Sequence, residues 1–328
     1  MSVFMSQKGQ WFLMIALVGT LASLSPSVEA AEKVLPDKQQ TKLLKQFRTW
    51  LKSIKTYSVA VDAIIKVGNH KKKLVGMSKL SGITDKRMRI EMTMPFPKRV
   101  HHSVYTHRML TIIYGKRWQW VVTGMYAGKV AKTQRCMKLD RKKLAPPNEP
   151  FQAMYTVRGA GVSAGRDFPG TFRELLQIYP VESVTLAKSA KGDVYKLRGK
   201  LDPQAAYTYL EKISPWMKPT MIKMKIKMLK RMADIAMIHL DAKTLHPVEL
   251  TQLSSKKGTR NMSTTMRYKD LHTNIALSPK MFTYTPKKGM AVRDITSMLL
   301  QRKAMLSRSA PQKTTPSKAP STRPIPRR

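Results

Sequence analysis

Arg87-Met88-Arg89-Ile90-Glu91-Met92-Thr93-Met94 alternates charged or polar residues with apolar ones at a period of two. Successive side chains of a strand point to opposite faces, so this spacing predicts a strand with one face on a core and the other in water. Pro95 and Pro97 end the run, because proline cannot donate to a strand ladder. The same period extends outward in both directions. Upstream, Tyr57, Val59, Val61, Ala63, Ile65 and Val67 alternate with Ser58, Asp62 and Lys66. Asn69-His70 makes a turn and residues 74–83 a second strand. Downstream, the pattern predicts a long strand over 100–114, a tight turn at Gly115-Lys116 and a partner strand over 117–123. Trp118, Trp120 and Val122 share one face of that partner, and a short strand follows over 128–134.

Before the strands the period is that of a helix. Leu43, Leu44, Phe47, Trp50, Leu51 and Ile54 recur at three- and four-residue steps, predicting a helix over 36–54. Residues 144–170 break the pattern with Pro146, Pro147, Pro150 and the run Gly159 to Gly165, which reads as a loop or lid. Thr171 is the expected cap of a short helix to Tyr179, with Glu174 completing a capping box. A hairpin over 181–187 and 194–199 follows. A helix then runs over 203–213, with Asp202 as cap and Pro203 at its first position. Ile222, Met224, Ile226 and Met228 alternate with Lys223, Lys225 and Lys227. A strand is expected there, since a helix would set Lys225 on the apolar stripe. Strands over 235–240, 247–254 and 260–271 continue the meander, and 281–284 reads as a last short strand. A terminal helix is expected over 294–307. The Pro-, Ser-, Thr- and Arg-rich stretch 310–328 has no periodicity. The pattern as a whole is mainly β with helices, an α+β chain built on an antiparallel meander.

The N-terminal segment bears on compartment. Lys8 precedes an apolar run from Trp11 to Ala22, and Val28 and Ala30 are small residues at the spacing a signal peptidase reads. The run is short for a membrane span, which needs about 20 apolar residues. The expectation is a cleavable signal over 1–30, a folded body over 31–300 and a basic tail over 301–328, with export to the periplasm. Cys136 is the one cysteine, so an exported chain has no internal disulfide.

Charge is extreme. Lys and Arg number 61 against 19 Asp and Glu, a formal net charge of +42. Export argues against nucleic acid as the partner. Anionic lipids or envelope polymers and an acidic habitat both fit the scarcity of carboxylates. His101 and His107 share a face but lie about 20 Å apart along a strand, too far for one metal ion. The glycine-rich run lacks the Gly-Lys-Ser/Thr ending of a phosphate loop, and no nucleophile motif or zinc-binding motif occurs. The sequence gives no positive sign of catalysis, of a cofactor or of a metal.

The order helix, meander, loop with short helices, further strands resembles the LolA/LolB-like lipoprotein carrier family. The likeness rests on the helix over 43–54 leading into Tyr57, and on Gly76-Met77-Ser78-Lys79-Leu80 followed by Arg87-Met88-Arg89-Ile90. It rests also on the hairpin ending Trp118-Gln119-Trp120-Val121, on Ile238-His239-Leu240-Asp241 to Pro247, and on the closing run Met281 to Val292. It covers about residues 35 to 295. The resemblance implies an unclosed antiparallel β-barrel with an N-terminal helix and a helical lid, whose apolar concave side receives the acyl chains of a lipid or lipoprotein. It implies lipoprotein-sorting components of the inner and outer membranes as partners. On that basis the expected acyl-chain residues are Val59, Val61, Met88, Ile90, Met92, Met94, Trp118, Trp120, Met224 and Met228. Methionine suits such a cavity because its thioether side chain adapts to irregular shapes. Lys223, Lys225 and Lys227 are the expected contacts to an anionic surface. The other reading is a basic envelope adaptor that docks on anionic lipids or polymers without a ligand in a cavity.

Overall fold

The alternation becomes one sheet of thirteen strands in the computed structural model, which describes residues 32–67, 73–84, 86–95, 106–143, 167–188, 192–213, 217–255 and 262–301. The strands are β1 (Lys33–Val34), β2 (Thr56–Val67), β3 (Lys73–Ile83), β4 (Arg87–Pro95), β5 (His107–Tyr114), β6 (Trp118–Ala127) and β7 (Val130–Asp140). They continue as β8 (Val181–Ala187), β9 (Val194–Lys200), β10 (Ile235–Asp241), β11 (Pro247–Leu253), β12 (Met262–Thr273) and β13 (Val292–Asp294). Their order is β1-β8-β9-β10-β11-β12-β2-β3-β4-β5-β6-β7-β13. Neighbours are antiparallel except β13, which runs parallel to β7. The two edges do not join, so the sheet is an open half-barrel.

Register builds one continuous inner face, because directly opposed residues of an antiparallel pair point the same way. Val59 faces Leu80, Leu80 faces Ile90, Ile90 faces Ile112, Ile112 faces Val121 and Val121 faces Met137. In the other direction Val61 faces Tyr268, and the row Met266, Leu250, Ile238, Leu197, Val184 closes the face. Tyr57 lies opposite Gly82, whose missing Cβ leaves the space that the tyrosine ring fills.

Four helices cover part of this face: α1 (Asp37–Ser53), α2 (Phe168–Ile178), α3 (Pro203–Ile213) and α4 (Pro219–Met232). Helix α1 follows the expected spacing, with Leu43, Phe47 and Leu51 buried. Helix α3 starts where expected, and the Asp202 carboxylate accepts from the backbone N–H groups of Gln204 and Ala205 at 2.8 and 3.1 Å. Helix α2 is capped by Asp167 rather than Thr171: Asp167 Oδ1 accepts from Gly170 N at 2.6 Å. Thr171 lies buried in the first turn, and Glu174 instead accepts from the Tyr209 hydroxyl at 3.0 Å, tying α2 to α3.

The strand expected through Met221 to Met228 is helix α4. Lys-Met-Lys-Ile-Lys-Met fits a period of two, but Ile222, Ile226 and Leu229 also fit steps of four and three, and Pro219 pre-sets a first helical turn. The first two are buried and the third packs on the core. Lys225, at the rim of that stripe, is exposed because a long side chain reaches water from the edge of an apolar surface. The short strand expected at 281–284 is also absent. Pro279–Phe282 is a 3₁₀ turn, and the last strand is β13. Residues 296–301 are helical, which is as far as the expected terminal helix lies within the described residues. The expected signal over 1–30, most of the loop over 144–170, His101, His102 and the stretch 310–328 lie outside them.

Candidate functional site

The inner face is covered by two unlike clusters that meet at Leu80, which packs against both. The first lies under α1–α4. Phe47, Phe168, Phe172 and Tyr268 form an aromatic centre with ring centroids 5.3 to 6.0 Å apart. Val59 and Val61 belong to this filled cluster.

The second cluster belongs to β4–β7. Met88, Ile90, Leu110, Ile112, Val121 and Leu139 are buried, and Met92, Met94, Tyr114 and Met137 are half-buried against them. Its cover among the described residues is slight: Ile295 is buried in it and Leu299 packs on it. Asp140 anchors this cover, its backbone N–H donating to Thr296 Oγ1 at 2.9 Å while its carboxylate holds Arg117 at 3.0 Å. The structure thus brings Met88, Ile90, Met92 and Met94 together on the stretch of the face that the described residues cover least.

Leu110, Ile112 and Met137 were missing from the expected set. Their period of two on β5 and β7 was the signal that could have found them. The face is chemically plain. Burial pushes the Tyr114 phenol well above its ordinary range, with Arg141 and Gln119 opposing, so it stays a neutral hydroxyl. On the opposite face, beneath the segment that carries Tyr284, burial raises the Cys136 thiol, which makes it a poor nucleophile. No group of His, Cys, Asp or Glu that could hold a metal occurs among the described residues.

Four expected residues lie elsewhere. Trp118 and Trp120 are on the outer face, since strand parity sets them opposite in direction to Gln119 and Val121. Trp118 packs under Arg117 and Lys138, and Trp120 stands 5.5 Å from the Tyr284 ring. That ring belongs to the segment after β12, which straps the outer face. Arg89 Nη1 donates to Met281 O at 3.3 Å, and Gly115 comes close to the Phe282 carbonyl. Met224 and Met228 are solvent-exposed on α4, at 59% and 54%. With the helix in place of the strand, Lys223, Lys225 and Lys227 are exposed around α4 and do not form one row.

The outer face of β8–β12 is a field of ion pairs. Lys269 meets Asp62 at 2.5 Å, Arg267 meets Glu249 at 3.1 Å, Arg198 meets Glu182 at 3.0 Å, and Lys196 pairs with Glu32. His239 sits among them with Nδ1 3.8 Å from Glu249 and a buried Nε2 that has no hydrogen-bond partner. Burial lowers its pKa, and Lys196 adds to this against the pull of Glu249.

No family model matches the sequence, and no curated protein matches it. Solved structures that resemble the chain include LprF from Mycobacterium bovis, 11% identical over 74% of this chain and 98% of its own, with a TM-score of 0.34. A DUF1329 family protein from Desulfovibrio piger is 9% identical over 76% of this chain and 98% of its own, at 0.33. A LolA superfamily protein from Nitrosomonas europaea is 9% identical over 74% and 97%, at 0.29.

Proposed function

We propose that the protein is an exported carrier that binds the acyl chains of a lipid or lipoprotein against the inner face of β4–β7, without catalysis. The observation that supports this reading is the set of half-buried methionines on this face, Met92 and Met94 on β4 beside buried Leu110, and Met137 on β7. A closed core would bury these side chains fully, and an acyl chain laid along them would complete their packing. Each methylene so buried contributes about 0.8 kcal/mol, offset in part by displacing whatever covers the face. The ligand site in this reading comprises Met88, Ile90, Met92, Met94, Leu110, Ile112 and Met137.

Native mass spectrometry of protein purified from its own envelope tests the proposal. A co-purified lipid supports a carrier, and a clean unliganded mass favours the adaptor reading. Binding of a fluorescent fatty acid gives the residue-level test. Ile90→Glu should abolish it, with folding checked separately because the change buries an unpaired charge. The export part has its own test. N-terminal sequencing should find Ala31 first, and a chain beginning at Met1 in the envelope fraction would overturn that part.

A further inference from the structure

Helix α4 breaks the ordinary rule for a helix on a protein surface, that the side away from the core is polar. Its inward stripe is Ile222, Ile226 and Leu229. On the far side Met224, Met228 and Met232 are exposed at 59%, 54% and 42%. Steps of four set these three side chains in one ridge about 12 Å long. Lys225, Lys227 and Arg231 lie beside the ridge, Lys223 and Lys230 sit nearer the inward stripe, and no acidic residue occurs between Pro219 and Met232. Single exposed apolar residues are common, whereas an aligned ridge bordered by one sign of charge marks a contact surface.

We propose that α4 is a membrane-docking helix that lies flat on an anionic bilayer. The ridge Met224, Met228 and Met232 enters the head-group layer, and the flanking lysines and arginine meet lipid phosphates. The pattern is that of an interfacial helix: moderate apolar content on one side, basic residues beside it and no carboxylate to repel the surface. Charge complementarity selects the occupant, because each Lys or Arg near such a surface adds up to about 1 kcal/mol. A protein carrying +42 overall would be drawn to the same surface. Methionine suits a reversible contact, since its flexible side chain fits disordered lipid without a fixed pocket. This goes beyond acyl binding on β4–β7, to which Met224, Met228 and Met232 do not contribute.

The test uses the full chain with Cys136→Ser, which removes the only native thiol. An environment-sensitive fluorophore is attached at Met228→Cys or, as a control, at Lys129→Cys in the exposed β6–β7 turn. Phosphatidylglycerol vesicles should raise emission several-fold at position 228 and leave position 129 unchanged, with no response to phosphatidylcholine vesicles. Met224→Ser, Met228→Ser and Met232→Ser combined should weaken sedimentation with the anionic vesicles about tenfold, while binding of the fatty-acid probe stays as in the parent. Sedimentation with vesicles without a signal at 228 would overturn the proposal and assign docking to the basic stretch 302–328. A signal that rises with protein concentration in the absence of vesicles would overturn it in favour of self-association. Vesicle docking by a parent protein that does not bind the fatty-acid probe would count against the carrier reading alone, whereas undiminished docking by the triple variant would overturn the role of the ridge.

Discussion

The two halves of the inner face share one alternating pattern and differ in what lies on it. Across β8–β12 and β2, four helices cover the sheet and the aromatic rings of Phe47, Phe168, Phe172 and Tyr268 fill the space between the layers. Across β4–β7, the cover among the described residues is Ile295 and Leu299, and Met92, Met94 and Met137 are half-buried beside an aliphatic cluster. The outer faces differ in the reverse sense. The first half turns paired charges to water, and the second hides Ile113 and Trp120 behind the strap that follows β12. Interiors are close-packed, so the aromatic half has little room to adapt. The half-buried Met92, Met94 and Met137 of the other half are flexible side chains that adapt to irregular neighbours.

The largest effect should come from the filled half. Phe172 is fully buried, and Phe172→Ala should cost about 3–5 kcal/mol through lost burial and the cavity left behind. Denaturant titration reads this directly, and a loss below 1 kcal/mol would mean the helices do not form a packed layer.

Met92→Gln sharpens the comparison from the other side. It should change stability by less than about 1 kcal/mol, since the residue is half-buried. Affinity for a fluorescent fatty acid should fall about tenfold, roughly 1.4 kcal/mol. Unchanged binding by the folded variant would make the methionine half ordinary core.

Removing a cap should act locally. Asp202→Ala frees two N–H groups of α3 and should cost about 1 kcal/mol. Probe binding should stay as in the parent, because α3 packs on the other half.

The smallest effect concerns pH. His239 faces Lys196, Glu249 and Glu32, and Arg267 lies behind Glu249. Its folded pKa is depressed below the ordinary value near 6.5. The unfolded chain therefore takes up the proton first, and stability falls as pH drops below about 6.5 until the folded histidine is protonated. His246 is lowered in the same sense, first by burial, against the pull of Asp241. His239→Gln should therefore reduce, without removing, the slope of Tm between pH 6.5 and 5. An unaltered slope would assign the effect to His246.

The neighbouring charges also explain why the chain's composition was hard to read. Among the described residues of β2 and β8–β12, Glu182, Glu249 and Asp62 are committed to ion pairs. Exposed pairs of this kind contribute little individually.

Local pattern determined a good deal by itself. The period of two at Arg87–Met94 set strand β4 and the direction of Met88, Ile90, Met92 and Met94, because side-chain alternation on a strand is geometric. Spacing likewise set α1 and α3, and an Asp before a proline set the start of α3. Where one pattern satisfied two periods, as in Lys223 to Met228, only packing decided. Burying Ile222, Ile226 and Leu229 on one stripe won over alternation. Tertiary structure alone also decided which face was the inner one. Trp118 and Trp120 alternate as regularly as Met88 and Ile90, but register with Ile113 and Lys138 puts them on the opposite side from Ile112. A sequence gives the parity of each strand. It does not give the pairing that joins those parities into one face, because that pairing depends on residues far apart in the chain.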